Sequence, residues 1–591
     1  LNQNRYQYSR LSSEDIGNGY GSRIAILRVI FVLLLALLVA QLIRKQVLEY
    51  STYKAMAQGQ QTAKLTSTPD RGIIYAYDKT AGDMGVTAKE GERQYHPLAI
   101  NMQKYNVVVV PKNVIDPDRV VDELSKRFPD IDKNKLATNI KSKKIYIPPV
   151  AKKVEKDQAE EISKLNMAGV MTVPTTVRYY PEGSLAAQVL GFVNYEDEGA
   201  YGIERYYNGE LKGIPGVIYG LKDTHGRVIE VNDQAKATDG VSIVLSIDST
   251  VQFIVEQELK KSIEAYKAEG GTVIIMEPRT GKIIAMANEP AYDPNAFNKV
   301  PESEQWKFVN SAVTDVWEPG SIMKPVIMAG AIDGGTVEPD TKPEKPFGNV
   351  VTIDDYEIHN AQDKSYGMET MTEVIKNSDN IGMAWLSEKM GKDIMAKYLT
   401  DFGFGAKTGI DVEAESIGMS IDPKKWSKVQ RANISFGQGI LTTPLQMVTA
   451  YGAIANGGKL VKPHLLDTVI APNGEKKQIQ TTDVRQVIKQ ETADKMKEML
   501  INVVDNGHGK KAAVEGYKVA GKTGTAQIAK KGGGYEENQH IGSFVGYAPA
   551  DNPKFVMLVK LDKPQNVEFA ESSAAPTFGT IAKWLLTNYY K

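Results

Sequence analysis

The 591-residue chain has no cysteine. Disulfides, thiolate catalysis and Cys-based zinc sites are thereby excluded, and the redox compartment cannot be read. Histidine is scarce: His96, His225, His359, His464, His508 and His540 are scattered without metal-ligand spacing. They read as structural or surface residues, and neither a metal nor a cofactor is expected. Charge of one sign is missing too. The formal net charge is −1, so no overall field argues for a nucleic-acid partner. Long apolar runs are absent except for one.

That run is residues 24–43, apolar apart from Arg28 and Gln41 and unbroken over 29–40. Twenty helical residues span about 30 Å, one hydrocarbon core. Basic residues flank it, and no small-x-small cleavage site follows before Arg44, so a retained single-pass anchor is expected rather than a cleaved signal. Arg5, Arg10, Arg23 and Arg28 against Arg44, Lys45 and Lys54 favour a cytoplasmic N-terminus. The rest of the chain would then lie on the extracellular or periplasmic side.

The expected division is a polar tail (1–23), the anchor (24–43), a helical stalk (44–64), an α+β pedestal without chemistry (65–238) and a second α+β domain (239–591). In the pedestal, 105–110 reads as a strand, 117–128 and 154–165 as helices, and 170–177 as a strand that Pro174 confines to an edge. In the second domain, 241–247 is a strand and 249–268 a helix. The runs 271–277 and 282–288 form a hairpin around Thr280-Gly281. Further strands are expected near 517–520, 543–547 and 555–560, with a last helix over 578–588. Strands from both ends of a domain enclosing inserted helices give an antiparallel sheet with a helical subdomain, an α+β arrangement.

Chemistry centres on Trp317-Glu318-Pro319-Gly320-Ser321-Ile322-Met323-Lys324. A Ser three residues before a Lys, after Pro-Gly at a helix start, places hydroxyl and amine on one face at the positive end of the dipole. Ser51-Thr52-Tyr53-Lys54 repeats the pattern without any supporting context, so Ser-x-x-Lys alone decides nothing. A Ser-Lys pair needs a neutral Lys, hence desolvation or a neighbouring cation, and a second polar group to relay the proton. Ser378-Asp379-Asn380 is the only Ser-x-Asn in the chain. Lys522-Thr523-Gly524 follows a strand-like run, whereas a second copy, Lys407-Thr408-Gly409, sits in a Gly-rich turn. Gly524 would let substrate lie against the strand edge, and the Thr525 N–H could face an oxyanion.

Ser-x-x-Lys, Ser-Asp-Asn and Lys-Thr-Gly in this order are the signature of serine penicillin-recognising enzymes. With Glu318-Pro319-Gly320, Gly437-Gln438-Gly439, Thr443-Pro444-Leu445-Gln446, Arg71-Gly72, Arg178-x-Tyr180-Pro181 and Gly202-Ile203-Glu204, the chain resembles class B penicillin-binding proteins over residues 24–590. Tyr75-Ala76-Tyr77-Asp78 and Glu571-Ser572-Ser573 depart from the family pattern, and neither is expected to touch the catalytic motifs. No C-terminal repeats are expected after the second domain.

The resemblance implies a membrane-anchored peptidoglycan D,D-transpeptidase. Ser321 would be the nucleophile, Lys324 its base, Ser378 the proton relay, Asn380 the positioning amide and Lys522 the electrostatic partner. Thr523, Gly524 and Thr525 would bind substrate, and the Ser321 and Thr525 N–H groups would form the oxyanion hole. It further implies stem peptides of lipid-linked or nascent glycan as substrates, β-lactams as acylating ligands, and a membrane-embedded glycan polymerase with divisome proteins as partners. The division or spore-cortex branch is favoured over elongation. A β-lactamase would need an added base for water, which no motif supplies. A non-enzymatic sensor or scaffold would have lost a motif residue, and none is lost.

Overall fold

The structure is a computed structural model that describes residues 14–54, 62–79, 94–144, 147–222, 228–419, 422–530 and 534–591. The chain divides into two compact units, Leu1–Pro69 with Ile214–Thr238, and Asp70–Gly213 with Asp239–Lys591.

In the first unit a helix over Glu14–Ile43 continues as a π-turn over Arg44–Leu48. Within Arg23–Leu48 an 18-residue stretch has mean hydropathy 2.8 and no buried residue, and this is the one helix among the described residues long and apolar enough to cross a membrane. The helix begins nine residues upstream of 23, within the stretch expected to be a flexible tail; elongation from a strong helical segment costs little once the nucleus exists. Residues 1–13 lie outside the described residues. The expected stalk over 44–64 is corrected at its end. Thr62–Ser67 is a strand, paired antiparallel with Gly216–Lys222, which pairs in turn with Val228–Ala235. Its Thr-rich sequence suits a strand better than a helix, and 55–61 lie outside the described residues.

The second unit starts with a mixed sheet: β1 (Ile74–Asp78), β2 (Gln94–Val109), β3 (Ala151–Val154), β4 (Val170–Tyr179) and β5 (Ser242–Asp248). Its order is Lys476–Gln478, Leu466–Ile470, β5, β1, β2, β3, with β4 also on β2. Only β5 and β1 run parallel. Pro174 of β4 lies opposite Tyr105, and β4 pairs with β2 alone, so the edge position expected from proline holds. The sheet takes strands from both sides of residue 238, so pedestal and second domain share backbone pairing. Helices over Pro117–Arg127 and Lys156–Lys164 agree with the sequence reading. A third, Lys133–Lys141, was not anticipated, although Asp132 caps it by accepting from Lys135 N at 3.0 Å.

Three separated pedestal motifs meet in one buried ion cluster. Glu204, fully buried, accepts from Arg71 Nε at 2.8 Å and from Arg178 Nε at 2.6 Å, and Tyr180 OH donates to it at 3.2 Å. Burial alone would raise the Glu204 carboxyl, but Arg178 and Arg71 overcome it and hold the group below the ordinary carboxylate range. Since the folded pKa is depressed, this contribution is present above about pH 4.3 and lost as pH falls through the folded value. Glu204→Ala strands two buried guanidinium groups and is expected to destabilise the protein by about 3–5 kcal/mol. Thermal unfolding checks it, and an unchanged melting temperature would contradict it.

The second sheet carries the site. It comprises β6 (Gly270–Met276), β7 (Ile283–Glu289), β8 (Ala520–Ala529), β9 (Tyr535–Ala548) and β10 (Phe555–Asp562), all antiparallel, in the order β7-β6-β10-β9-β8. Every residue of β6 is buried, and alternate side chains enter two different cores. Val273 and Ile275 pack with α1 (Ser249–Tyr266), while Ile274 and Met276 face the helical subdomain. That subdomain contributes α2 (Lys324–Asp333), α3 (Met371–Asn377), α4 (Asn380–Asp401), α5 (Pro444–Ala455) and α6 (Gln490–Asn506). The last helix, α7 (Ala574–Trp584), joins α1 on the far face through Phe578 and Ile581. A sheet apolar on both faces must be covered on both, which explains helices from both chain ends. The strand expected at 517–520 is displaced: β8 starts at Ala520, so Lys522-Thr523-Gly524 lies within the strand rather than after it.

Candidate active site

Ser321 sits in a 3₁₀ turn, Gly320–Met323, that runs directly into α2, whose first residue is Lys324. Pro325 suits this start because the first-turn N–H groups have no helical acceptor. The turn is held by close approaches that only glycine permits. Gly437, at φ +86°, places its Cα where an added Cβ would stand 2.0 Å from Gly320 O. Gly320 N donates back to Gly437 O at 3.0 Å, and the buried Tyr451 hydroxyl donates to Ile322 O at 2.8 Å. Glu318 ties further loops to the turn, accepting from Gly439 N at 2.8 Å and from Tyr535 OH at 3.1 Å.

The turn packs on β8, the free edge of the sheet. Gly524 is a glycine for a reason the sequence did not give: a Cβ there would meet Ser543 Oγ at 2.7 Å, Ile322 Cγ2 at 2.9 Å and Pro319 O at 3.0 Å. Its bare backbone brings the Ser321 turn onto the strand. Thr525 O lies 3.3 Å from a Cβ built on Gly320. A strand residue projects its N–H and C=O to the same side, so the Thr525 N–H also faces the turn. Thr523 and Thr525 share one face of β8 by period. The Thr525 hydroxyl accepts from Ala570 N at 3.1 Å. This corrects one expectation: the segment at Glu571-Ser572-Ser573 adjoins a motif residue, and the Glu571 charge acts on Lys522.

Ser378 is the meeting point. It ends α3 in the left-handed region (φ +60°, ψ +38°), and Asp379 caps α4 immediately after it. Ser378 Oγ lies 2.9 Å from Ser321 Oγ, 3.2 Å from Lys324 Nζ and 3.0 Å from Lys522 Nζ. Lys324 Nζ also reaches Ser378 O at 2.5 Å and Asn380 Oδ1 at 2.7 Å. Asn380 is fixed in turn, with Nδ2 donating to His359 O at 2.9 Å and N donating to Asn360 Oδ1 at 2.7 Å. Ser321, Lys324, Ser378, Asn380 and Lys522, drawn from the three motifs, therefore converge. One detail differs from the sequence reading: the bonds of Lys324 lead to Ser321 through Ser378 Oγ rather than directly.

Both lysines are fully buried. Desolvation, reinforced by the Lys522 charge, holds Lys324 well below the usual lysine range, against the opposing pull of Asp379 and Glu369. Desolvation lowers Lys522 to about 7, with Glu571 opposing. A neutral Lys324 has two N–H donors and one lone pair. Ser378 O and Asn380 Oδ1 take the donors, which leaves the lone pair for the Ser378 hydroxyl.

The second copies of the motifs have no such surroundings. Thr408 Oγ1 and Gly409 N both donate to Glu415, at 2.6 and 3.1 Å, closing a local turn. Ser51 is exposed on the helix that follows the apolar span. Among the described residues no group of three His, Asp or Glu side chains could hold a metal ion.

Residues 271–583 match the penicillin-binding protein transpeptidase domain, and 67–245 match the penicillin-binding protein dimerisation domain. The chain belongs to the penicillin-binding protein transpeptidase family. Family relatives include Stage V sporulation protein D of Bacillus subtilis (strain 168), 34% identical across 94% of this chain and 85% of that protein. The peptidoglycan D,D-transpeptidase FtsI of Escherichia coli (strain K12) is 30% identical across 83% of this chain and 81% of that one. Among solved structures, penicillin-binding protein 3 of Mycobacterium tuberculosis complexed with aztreonam superposes with TM-score 0.68 at 26% identity, covering 89% of this chain and 97% of that one. One apolar span among the described residues, ahead of the two family domains, fits a single-pass membrane penicillin-binding protein.

Proposed function

We propose that this chain is a serine-type peptidoglycan D,D-transpeptidase that cross-links stem peptides through an acyl-enzyme on Ser321. The observation that carries the mechanism is the position of Ser378 Oγ within hydrogen-bonding distance of Ser321 Oγ, Lys324 Nζ and Lys522 Nζ. Ser321 Oγ bonds to the carbonyl carbon of the penultimate D-Ala, and its proton passes through Ser378 Oγ to the neutral Lys324 amine. The oxyanion is met by the Ser321 and Thr525 N–H groups. The C–N bond breaks, and the leaving D-Ala amine takes a proton back through Ser378. The amine of a neighbouring stem peptide then attacks the ester. Its proton returns along the same path, the Ser321 hydroxyl is regenerated and a new amide forms. Lys522 stabilises negative charge at the relay, Asn380 holds Lys324, and Thr523 and Thr525 receive the terminal carboxylate, with Gly524 seating the Ser321 turn between them. β-Lactams enter the same cycle as acyl donors.

Residues 239–591 form the transpeptidase domain in this reading, and 65–238 the non-catalytic pedestal. The N-terminus is cytoplasmic, and the catalytic domain lies outside the membrane where the wall substrate is. A membrane-embedded glycan polymerase and divisome proteins are met through the anchor and pedestal. Septal or spore-cortex wall synthesis is the setting, in keeping with relatives that include both a sporulation protein and FtsI.

The test is reconstitution of the full-length protein with lipid-linked peptidoglycan and a glycan polymerase. Cross-linked stem peptides and stoichiometric D-Ala release are expected. Rapid turnover of a β-lactam without cross-links would indicate a β-lactamase, and penicillin capture without either would indicate a sensor.

A further inference from the structure

Glu369 belongs to none of the three motifs, yet it is buried to 3% exposure beside them. One of its oxygens accepts from Asn377 Nδ2. The other, Oε2, has no donor among the described residues, and neither has Oδ2 of the fully buried Asp379. The two carboxyl groups lie within hydrogen-bonding reach of each other. Two buried carboxylates in contact cannot both ionise, whereas one proton between them satisfies both unserved oxygens. Backbone donors already serve the Asp379 side, whose Oδ1 accepts from Ile381 N at 2.6 Å and Gly382 N at 2.8 Å at the N-terminus of α4, while Glu369 has one amide donor and is raised by burial. Glu369 therefore carries the proton.

Between Asn377 and Asp379 stands Ser378, in a left-handed conformation that an L side chain avoids and that its surroundings must hold. Resting on the transpeptidase reading, we propose that Glu369 is a positioning residue of the relay: a protonated carboxyl that grips Asn377 on one side and Asp379 on the other, and so fixes the Ser378 hydroxyl between Ser321, Lys324 and Lys522.

Its charge state bears on the base as well. The charges of Asp379 and Glu369 both favour protonated Lys324, so a neutral Glu369 leaves one opposing charge in place of two. The other titratable groups around it are Glu373, which is capping α3 from Thr370 and ionised, and Tyr366, whose phenol is pushed up by burial and by both carboxyls. Burial, opposed by Asn377 and reinforced by Asp379, raises Glu369 to about 8. Above that pH the pair repels and the grip on Ser378 weakens.

The experiment measures the acylation rate of purified full-length protein by a fluorescent penicillin from pH 6 to about pH 9.5, around the Glu369 value of about 8. Glu369→Ala is expected to acylate about 100-fold more slowly. Glu369→Gln is expected to stay within about fivefold of wild type at neutral pH, because its amide donates to Asp379 and accepts from Asn377. The ratio of the Gln variant's rate to wild type should be flat below pH 7 and climb above about pH 8. An Ala variant that acylates at the wild-type rate, a Gln variant as slow as Ala, or a ratio flat across the range would overturn the proposal. If the Ala variant does not fold by circular dichroism, the ratio for the Gln variant decides alone. Wild-type protein that takes no label would instead defeat the transpeptidase reading itself.

Discussion

Ser321→Ala protein is expected to fold as the parent does and to lose covalent penicillin labelling, by at least about 10⁴-fold. Among the described residues the Ser321 hydroxyl makes one side-chain bond, to Ser378 Oγ at 2.9 Å, so its removal costs about 1 kcal/mol of stability. Its turn is held by other groups: the Gly437 contact, the Tyr451 hydroxyl on Ile322 O, and Glu318 on Gly439 N. The variant thus separates chemistry from architecture. Labelling by a fluorescent penicillin with the melting temperature in parallel checks it, and a labelled Ala variant would mean that another nucleophile serves.

Lys324→Met is expected to slow acylation by about 10²–10⁴-fold, the usual worth of a positioned base. Met matches the length of the stem and suits a fully buried site, but it supplies neither a basic amine to take the proton from Ser378 nor donors for Ser378 O and Asn380 Oδ1. The pH dependence gives the more specific readout. Since Lys324 is held well below the usual lysine range, chiefly by desolvation, wild-type acylation falls as pH drops through that lowered value and the amine takes up a proton. The Met variant has no such limb. Stability moves in the same sense. The unfolded chain binds the lysine proton up to about pH 10.4, so the folded state gains as pH rises towards that value, and Met removes the dependence. A Met variant with wild-type rates and an unchanged acid limb would remove Lys324 from the base role.

Much of the site could be read from the sequence because its chemistry demands particular residue types. Ser321, Lys324, Ser378, Asn380 and Lys522 were each named from short patterns, and the fold brings them together. Three things could not be read. The path from Lys324 to Ser321 passes through Ser378 because α3 ends in a left-handed residue, and spacing does not report that turn. Gly524 looked like an opening for substrate, whereas it is the place where Pro319 and Ile322 come against β8. Glu369 gave no signal, since a Glu just ahead of a helix reads as an ordinary solvated charge and only its burial shows otherwise. At the level of the fold, β8 starts at Ala520 rather than Tyr517, Thr62–Ser67 is a strand where the composition reads as the end of a helical stalk, and the helix Lys133–Lys141 has no counterpart in the sequence reading. The two-faced β6 and the edge position of β4 followed from apolar runs and a single proline.

The most direct measurement is mass spectrometry of the penicillin-treated full-length protein, digested and mapped. Acyl transfer through Ser321 predicts one adduct, on the peptide carrying Glu318-Pro319-Gly320-Ser321, and none on the peptide carrying Ser51. An adduct on Ser378 or Ser51, or labelling that survives Ser321→Ala, would contradict it.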